Sequence, residues 1–528
     1  MKYIPTIGIE CHVQLATKTK LFSEVDNDAR NKEPNSCVSP VDYALPGMLP
    51  RLNGEAIKFA ILAGKAMNCK INAYSRFDRK HYFYPDSPKG YQITQFYHPI
   101  IGEGYVELPS GTRIRIEHAH LEGDAGKLTH FDDYSLVDLN RVDTPLIEIV
   151  SMPDIHSAKD AHDYCKELWR LMTFAGVSYG DLYNGNMRFD VNVSLAPEGS
   201  KELGTRAEVK NLNSFRSVER AVEYEIARQS KLLDAGEKIV QETRGWNDNA
   251  GKTTGQRSKE EAKDYRYMPE PDLPPVNLTN EFIKAEAEKL PLMPVDYRKM
   301  FNETIKPEIL EVLLDYPALM NKLAEVAGVL SEPVFSEAGL EFSSTSYTGQ
   351  PAEPSLRDEP VGDVRNIRVE NSNQNFMRPK KQVSATPAVT LIANLFSSVL
   401  LAEEKSAEYL NDLPAAKQLN DLAEMNEKKE LSSTATKEVF LRLFDPQMKG
   451  RDTKTIAKEL GLIQENDLGA LEVIVDTVLA KPETQKAQAD FKAGEEKVIG
   501  FLVGQVMKES RGKANPSAVQ EILRRKLK

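Results

Sequence analysis

Acidic side chains recur inside short, β-rich apolar runs through the first 210 residues, and any fold must gather them around something that offsets their charge. Glu10 and His12 lie in Gly8-Ile-Glu-Cys-His-Val13, and Glu122 and Asp124 in His120-Leu-Glu-Gly-Asp-Ala-Gly126. Glu148 lies in Pro145-Leu-Ile-Glu-Ile-Val150, Asp190 in Met187-Arg-Phe-Asp-Val-Asn192 and Glu208 in Thr205-Arg-Ala-Glu-Val-Lys210. Carboxylates are rarely buried without a partner. On neighbouring strands they repel one another unless a cation neutralises them, so the pattern predicts a sheet-borne Mg²⁺ site.

The rest of the chain limits what such a site can serve. Its 528 residues leave room for roughly two to four domains, and 41% hydrophobic with 28% charged residues suits a globular enzyme. The net charge of −11 argues against a body that binds nucleic acid by bulk charge. That charge is uneven: from Leu431 onward there are 17 Lys+Arg against 14 Asp+Glu, leaving −14 for the remainder. An acidic body with a basic tail suits chemistry in one part and polyanion binding in another. Cys11, Cys37, Cys69 and Cys165 are too scattered for a zinc knuckle or redox pair, and read as buried thiols in a reducing compartment. No basic region precedes an apolar stretch at the N-terminus. The most apolar segment, Pro387 to Ala402, is too short and polar to span a bilayer. A cytoplasmic protein with no membrane partner is expected.

Periodicity divides the chain into three. β-type alternation at Thr6–Val13, Arg113–His118, Leu146–Val150 and Val191–Leu195 mixes with helical periods at Gly54–Met67, Ala158–Ala175 and Ser217–Ala235. The expected fold class is α+β: a mixed-sheet catalytic cradle domain over 1–293, an all-α domain over 294–430 and an α-helical tail domain over 431–528. Ile309–Leu330 reads as an amphipathic stretch, and the Ser-, Pro-, Glu- and Asn-rich 331–386 as a disordered or loosely ordered insertion. Asn515-Pro516 reads as a cap and first-turn proline opening the last helix.

Two polar segments border the acids. Tyr82-Phe-Tyr-Pro-Asp-Ser-Pro-Lys-Gly-Tyr-Gln-Ile93 reads as a rigid loop presenting Lys89 and Gln92, with Arg79 and Lys80 just before it. Cations beside metal carboxylates suit phosphoryl transfer. Arg244, Lys252 and Arg266, within 241–272, are candidates for phosphate or RNA backbone. The plainer account of each segment is core packing or a solvated loop. Gly251-Lys252-Thr253 imitates a phosphate-binding loop, but five residues separate Gly245 from Gly251 where the motif needs four.

Gly8-Ile-Glu-Cys-His-Val-Gln-Leu15, Tyr84-Pro-Asp-Ser-Pro-Lys-Gly-Tyr-Gln-Ile93, Asp138-Leu-Asn-Arg141, Thr144-Pro-Leu-Ile-Glu-Ile-Val150 and Arg188-Phe-Asp-Val-Asn-Val193 together resemble the B-subunit family of aspartyl/glutamyl-tRNA amidotransferases. Lys210-Asn-Leu-Asn-Ser-Phe215, Gln241-Glu-Thr-Arg244 and Asp264-Tyr-Arg-Tyr-Met-Pro-Glu-Pro-Asp272 extend the likeness, and Gly500-Phe-Leu-Val-Gly-Gln-Val-Met-Lys508 and Gly512-Lys-Ala-Asn-Pro516 resemble its tail. The resemblance implies a heterotrimer in which an amidase, the A subunit, releases ammonia and the pair is clasped by a small C subunit. The B subunit spends ATP, with Mg²⁺, to activate the side-chain carboxylate of Glu on tRNA(Gln) or Asp on tRNA(Asn). The resemblance also implies metal ligands among Glu10, His12, Glu122, Glu148, Asp190 and Glu208, with Mn²⁺ an alternative occupant. Glu10, His12, Lys89 and Asp190 become the catalytic candidates. Arg79, Arg244, Lys252 and Arg266, and in the tail Arg511, Lys513, Arg524 and Arg525, become candidates for ATP or tRNA.

The chain departs from the family pattern at Gly123, where a second Glu is usual, so one metal position falls short unless Asp124 compensates. Ser39 and Asp42 stand where many relatives carry cysteines, which argues against zinc. Two other readings compete: a non-catalytic tRNA-binding adaptor whose acids are structural, and a stand-alone metal-dependent ligase for a small carboxylate.

Overall fold

The computed structural model describes residues 2–258, 264–330, 386–464, 468–510 and 514–527. The 331–386 segment therefore lies outside the described residues, apart from Thr386. The chain divides into two compact units, the first covering residues 1–294 and the second, among described residues, 295–330 with 386–527.

The first unit begins with β1 (Tyr3–Gln14), α1 (Gly54–Ala66), β2 (Tyr74–His81), β3 (Tyr91–His98), β4 (Gly104–Glu107), β5 (Arg113–Gly123), β6 (Lys127–His130), β7 (Ser135–Asp138) and β8 (Pro145–Ser151). It continues with α2 (Ala158–Phe174), β9 (Met187–Pro197), β10 (Ala207–Leu212), α3 (Phe215–Asp234), β11 (Glu242–Asn247), β12 (Lys252–Ser258), β13 (Met268–Pro269), β14 (Val276–Asn277) and α4 (Asn280–Ala287). Eight strands form one sheet in the order β12-β11-β10-β9-β1-β8-β5-β4. Every pairing is antiparallel except β10 with β11. Alternation decides the faces: Ile7, Ile9, Cys11 and Val13 of β1 are at most 1% exposed, while the residues between them carry the polar groups. Burying each aliphatic side chain of that apolar face contributes about 2 kcal/mol. Helices α1 to α3 stand against the sheet, each started by a side-chain cap. Asn53, Ser157 and Ser214 accept from the backbone N–H of Glu55, Asp160 and Ser217.

A second, smaller sheet centres on β2, which pairs with β3, β13 and β14. β3 runs beside β5, where the Gln92 side-chain amide donates to the Gly123 carbonyl at 3.0 Å. The loop between β2 and β3 is thereby held next to the polar face of the main sheet. β6 and β7 form a separate hairpin.

The second unit is helical: α5 (Pro294–Phe301), α6 (Pro307–Leu313), α7 (Pro317–Val326), α8 (Pro387–Ser398), α9 (Ser406–Leu410), α10 (Ala416–Glu427), α11 (Ser433–Arg442) and α12 (Thr453–Glu459) precede α13 (Leu468–Leu479), α14 (Gln485–Lys492), α15 (Ile499–Glu509) and α16 (Pro516–Leu527). The amphipathic stretch at 309–330 is carried by α6 and α7, which break before Pro317 because its ring has no N–H to continue the ladder and clashes with the preceding turn. The last four helices share a core that includes Leu471, Val475, Leu502, Val506, Val519 and Leu523. Asn515 caps α16, accepting from the Ser517 and Ala518 amides. No helix among the described residues is long and apolar enough to cross a membrane.

Candidate active site

Strand register assembles the acids. On β1, Glu10 is paired across from Asp190 of β9, and His12 from Glu148 of β8. Glu122 of β5 and Glu208 of β10 complete the polar face. The six residues fall into two triads, His12–Glu122–Glu148 and Glu10–Asp190–Glu208, each with ligand atoms within 4.8 Å of one another. His12 Nε2 is 3.5 Å from Glu122 and 3.6 Å from Glu148. A two-residue step along β1 separates the triads, about 7 Å of strand. Three carboxylates suit a hard ion such as Mg²⁺, and an imidazole with two carboxylates suits Mn²⁺ as well.

The electrostatics are those of acids short of cations. Burial raises the Glu10 carboxyl above its ordinary value, and the charges of Glu148, Glu208 and Asp190 push it further. The Lys210 ammonium partly offsets this, 2.7 Å from Asp190 and 3.1 Å from Glu208. Against the pull of its burial, Glu148 is held low by His120, His12 and Lys80. His120 Nε2 lies 3.4 Å from Glu148 and 3.8 Å from Glu122. Burial opposes the imidazolium, but the two glutamates raise its pKa to about 9.

His120, Arg188 and Lys210 were not singled out from sequence, yet the signal was available. Each stands two residues from a named acid on the same strand (Glu122, Asp190 and Glu208), and period two puts such neighbours on one face.

Three triad residues, His12, Glu122 and Asp190, line a cleft of about 620 Å³ together with Lys80, Lys89, Arg188 and Lys210, while Glu10, Glu148 and Glu208 stand behind them on the same sheet face and do not line it. Asp124 also lines it, but its carboxylate is bound by Arg141 at 2.6 Å and Arg188 at 3.2 Å. These guanidiniums outweigh burial and hold the Asp124 carboxyl low. At Gly123 the space a side chain would fill is taken by Asp143, whose carboxylate pairs with Lys89. Burial raises the Asp143 carboxyl, with Lys89 pulling against it.

The other candidates stand elsewhere. Arg79 forks onto Glu270 at 2.8 and 2.9 Å, reaches Asp272 at 3.1 Å and stacks over Tyr91. Arg244 is held by Thr253 and Glu242 of the β11–β12 hairpin and by Glu225 of α3, and Lys252 of the same hairpin is exposed. Arg266, at φ +42°, has its guanidinium 5.9 Å from the Phe83 ring. None of these four lines the cleft. In the tail Arg524 pairs with Glu496 and Arg525 with Glu472, while Arg511 and Lys513 lie outside the described residues.

Residues 5–284 match the GatB/GatE catalytic domain, and residues 380–527 match the GatB domain. The chain is 39% identical over 536 residues to the B subunit of the aspartyl/glutamyl-tRNA(Asn/Gln) amidotransferase of Carboxydothermus hydrogenoformans, covering 100% of this chain and 99% of that one. It is 39% identical to the protein of the same name from Persephonella marina, with 100% of both covered. To the one from Thermotoga neapolitana it is 38% identical, with 100% and 99% covered. Fold, acidic cleft and domain match define an enzyme of the GatB/GatE class. Within that class, the chain belongs to the family of aspartyl/glutamyl-tRNA amidotransferase B subunits, ligases that act as part of a complex.

Proposed function

We propose that this chain activates the side-chain carboxylate of Glu or Asp on a mischarged tRNA with ATP, and that ammonia from an amidase, the A subunit, then forms the amide. The heterotrimer is completed by a small C subunit, in the cytoplasm. A carboxylate oxygen attacks the γ-phosphorus and ADP leaves; ammonia attacks the acyl carbon, phosphate leaves and one proton is released. The observation that carries this reading is the pair of triads side by side on one sheet face, bordered by Lys80, Lys89, Arg188 and Lys210. The reaction gathers several anions in one place, and it needs that mixture of carboxylates and cations. Divalent ions held by His12–Glu122–Glu148 and by Glu10–Asp190–Glu208 would offset the charge of phosphate oxygens. Lys89, Arg188 and Lys210 orient the anionic substrates from the cleft wall, and a carboxylate of the set takes the proton that ammonia sheds.

The adaptor reading draws on one feature: Lys210 already lies between Asp190 and Glu208 and offsets their charge without a metal. Amidation of Glu-tRNA(Gln) and Asp-tRNA(Asn), assayed separately with the assembled complex, separates the two. Glu10→Gln and Asp190→Asn should each abolish turnover while leaving tRNA binding; normal turnover in both would establish the adaptor.

A further inference from the structure

The acid that pairs with Lys89 comes from a turn rather than from a strand. Asp143 precedes β8 with φ +59°, a left-handed conformation that suits glycine best and aspartate or asparagine next. Its side chain is 3% exposed and is ion-paired with that of Lys89, 8% exposed. The Lys89 ammonium also stands 5.7 Å over the Phe22 ring. Beside this pair β5 ends at Gly123. A Cβ there would meet Asp143 Oδ1 at 2.6 Å, Asp143 Cα at 3.2 Å and the Phe22 ring at 3.3 Å. The two backbones are tied together: the Asp143 N–H donates to the Asp124 carbonyl at 2.9 Å and the Asp124 N–H to the Thr144 carbonyl at 3.0 Å.

Positions 123 and 143 therefore address one small volume, and it holds one carboxylate. An aspartate's oxygens sit about 2.4 Å from its own Cβ. That is close to the 2.6 Å separating the Gly123 Cβ direction from Asp143 Oδ1. An aspartate at 123 could thus reach the position of Asp143 Oδ1, beside the Oδ2 that pairs with Lys89, provided residue 143 had no side chain.

We propose that Asp143 is a positioning residue for the reaction: its carboxylate fixes the Lys89 ammonium at the cleft wall, and that acid can be supplied from position 143 or from position 123, but not from both. This rests on the reading of the cleft as the reaction site. A buried lysine without its counter-ion turns toward other acids, and Glu122 and Asp124 line the same cleft. The cost is misplacement of the cation that meets the anionic substrate.

The test uses the assembled amidotransferase and steady-state amidation with Lys89→Ala, Asp143→Asn, Asp143→Gly, Gly123→Asp and the double variant Gly123→Asp/Asp143→Gly. Asp143→Asn keeps the shape and tolerates the backbone conformation, so its expected loss of about 100-fold in kcat reports the charge. Gly123→Asp alone should lose as much, through overlap and like charge. The double variant should recover at least about tenfold over either single, the non-additivity of a shared site. Wild-type turnover in Asp143→Asn with Lys89→Ala inactive would overturn this proposal alone. Wild-type turnover in Lys89→Ala would overturn the reading of the cleft as well. Loss of the assembled complex in Asp143→Asn and the double variant alike would make the pair a packing device and would also overturn it.

Discussion

Replacing Glu10 by Gln should stabilise the metal-free protein while destroying its activity. The Glu10 ligand oxygen lies within 4.8 Å of those of Asp190 and Glu208. At an effective dielectric constant of about 20, each such pair of charges repels by about 3.5 kcal/mol. Lys210 cancels part of this from between Asp190 and Glu208, and partial exposure of the site screens the rest. Glutamine keeps the shape of the side chain and can still accept from the Asn192 amide, now at 3.1 Å. The net gain should be about 1–2 kcal/mol, a rise of about 3 °C in melting temperature for a domain of this size. The same change removes a ligand from one triad, so the stabilisation conferred by Mg²⁺ should shrink and amidation should fall by about 100-fold or more. Calorimetry with and without Mg²⁺, beside the amidation assay, reads all three effects. A lower metal-free melting temperature in Glu10→Gln, or an Mg²⁺ response equal to wild type, would refute the picture of acids held short of cations.

Three further outcomes are expected. His120 has a folded pKa of about 9 against an ordinary 6.5, so in the metal-free protein its contribution to stability is complete below pH 6.5 and is lost as pH rises through 9. Thermal melts across that window should fall more for wild type than for His120→Gln, and equal slopes would show that the imidazolium is not held by Glu122 and Glu148. Burial pushes the Cys69 thiol up to about 12 and raises Cys11 and Cys165 well above their ordinary value. None of the three should react with a disulfide reagent at pH 8 until the protein unfolds, which stopped-flow thiol titration in native buffer and in denaturant will show. In the tail, replacing Arg524 and Arg525 by Ala should weaken tRNA binding uniformly and flatten its salt dependence by about two charges. An unchanged slope of affinity against salt would remove both residues from the tRNA surface.

Much of the sheet was legible because alternation is a local signal. The β1 pattern of Ile7, Ile9, Cys11 and Val13 against Glu10 and His12 tells which side chains share a face before any partner strand is known. Which acids meet is not local. The division into two triads depends on the register of Glu10 with Asp190 and of His12 with Glu148, set by strands more than a hundred residues away. Arg79 reads from sequence only by its neighbour Lys80, because the Glu270 and Asp272 that pair with it arrive from 191 and 193 residues along the chain. The relation between Gly123 and Asp143 needed both a left-handed turn and two adjacent backbones, neither of which leaves a periodic trace. Near Pro317 the apolar period continued across a residue that cannot continue a helix, so pattern and backbone chemistry disagreed and the backbone prevailed.

The most direct measurement is a Mn²⁺ titration of the metal-stripped complex followed by electron paramagnetic resonance. Two ions should bind per copy of this chain, one lost in His12→Gln and the other in Asp190→Asn. No ion bound, or one ion lost alike in both variants, would contradict the two-triad site.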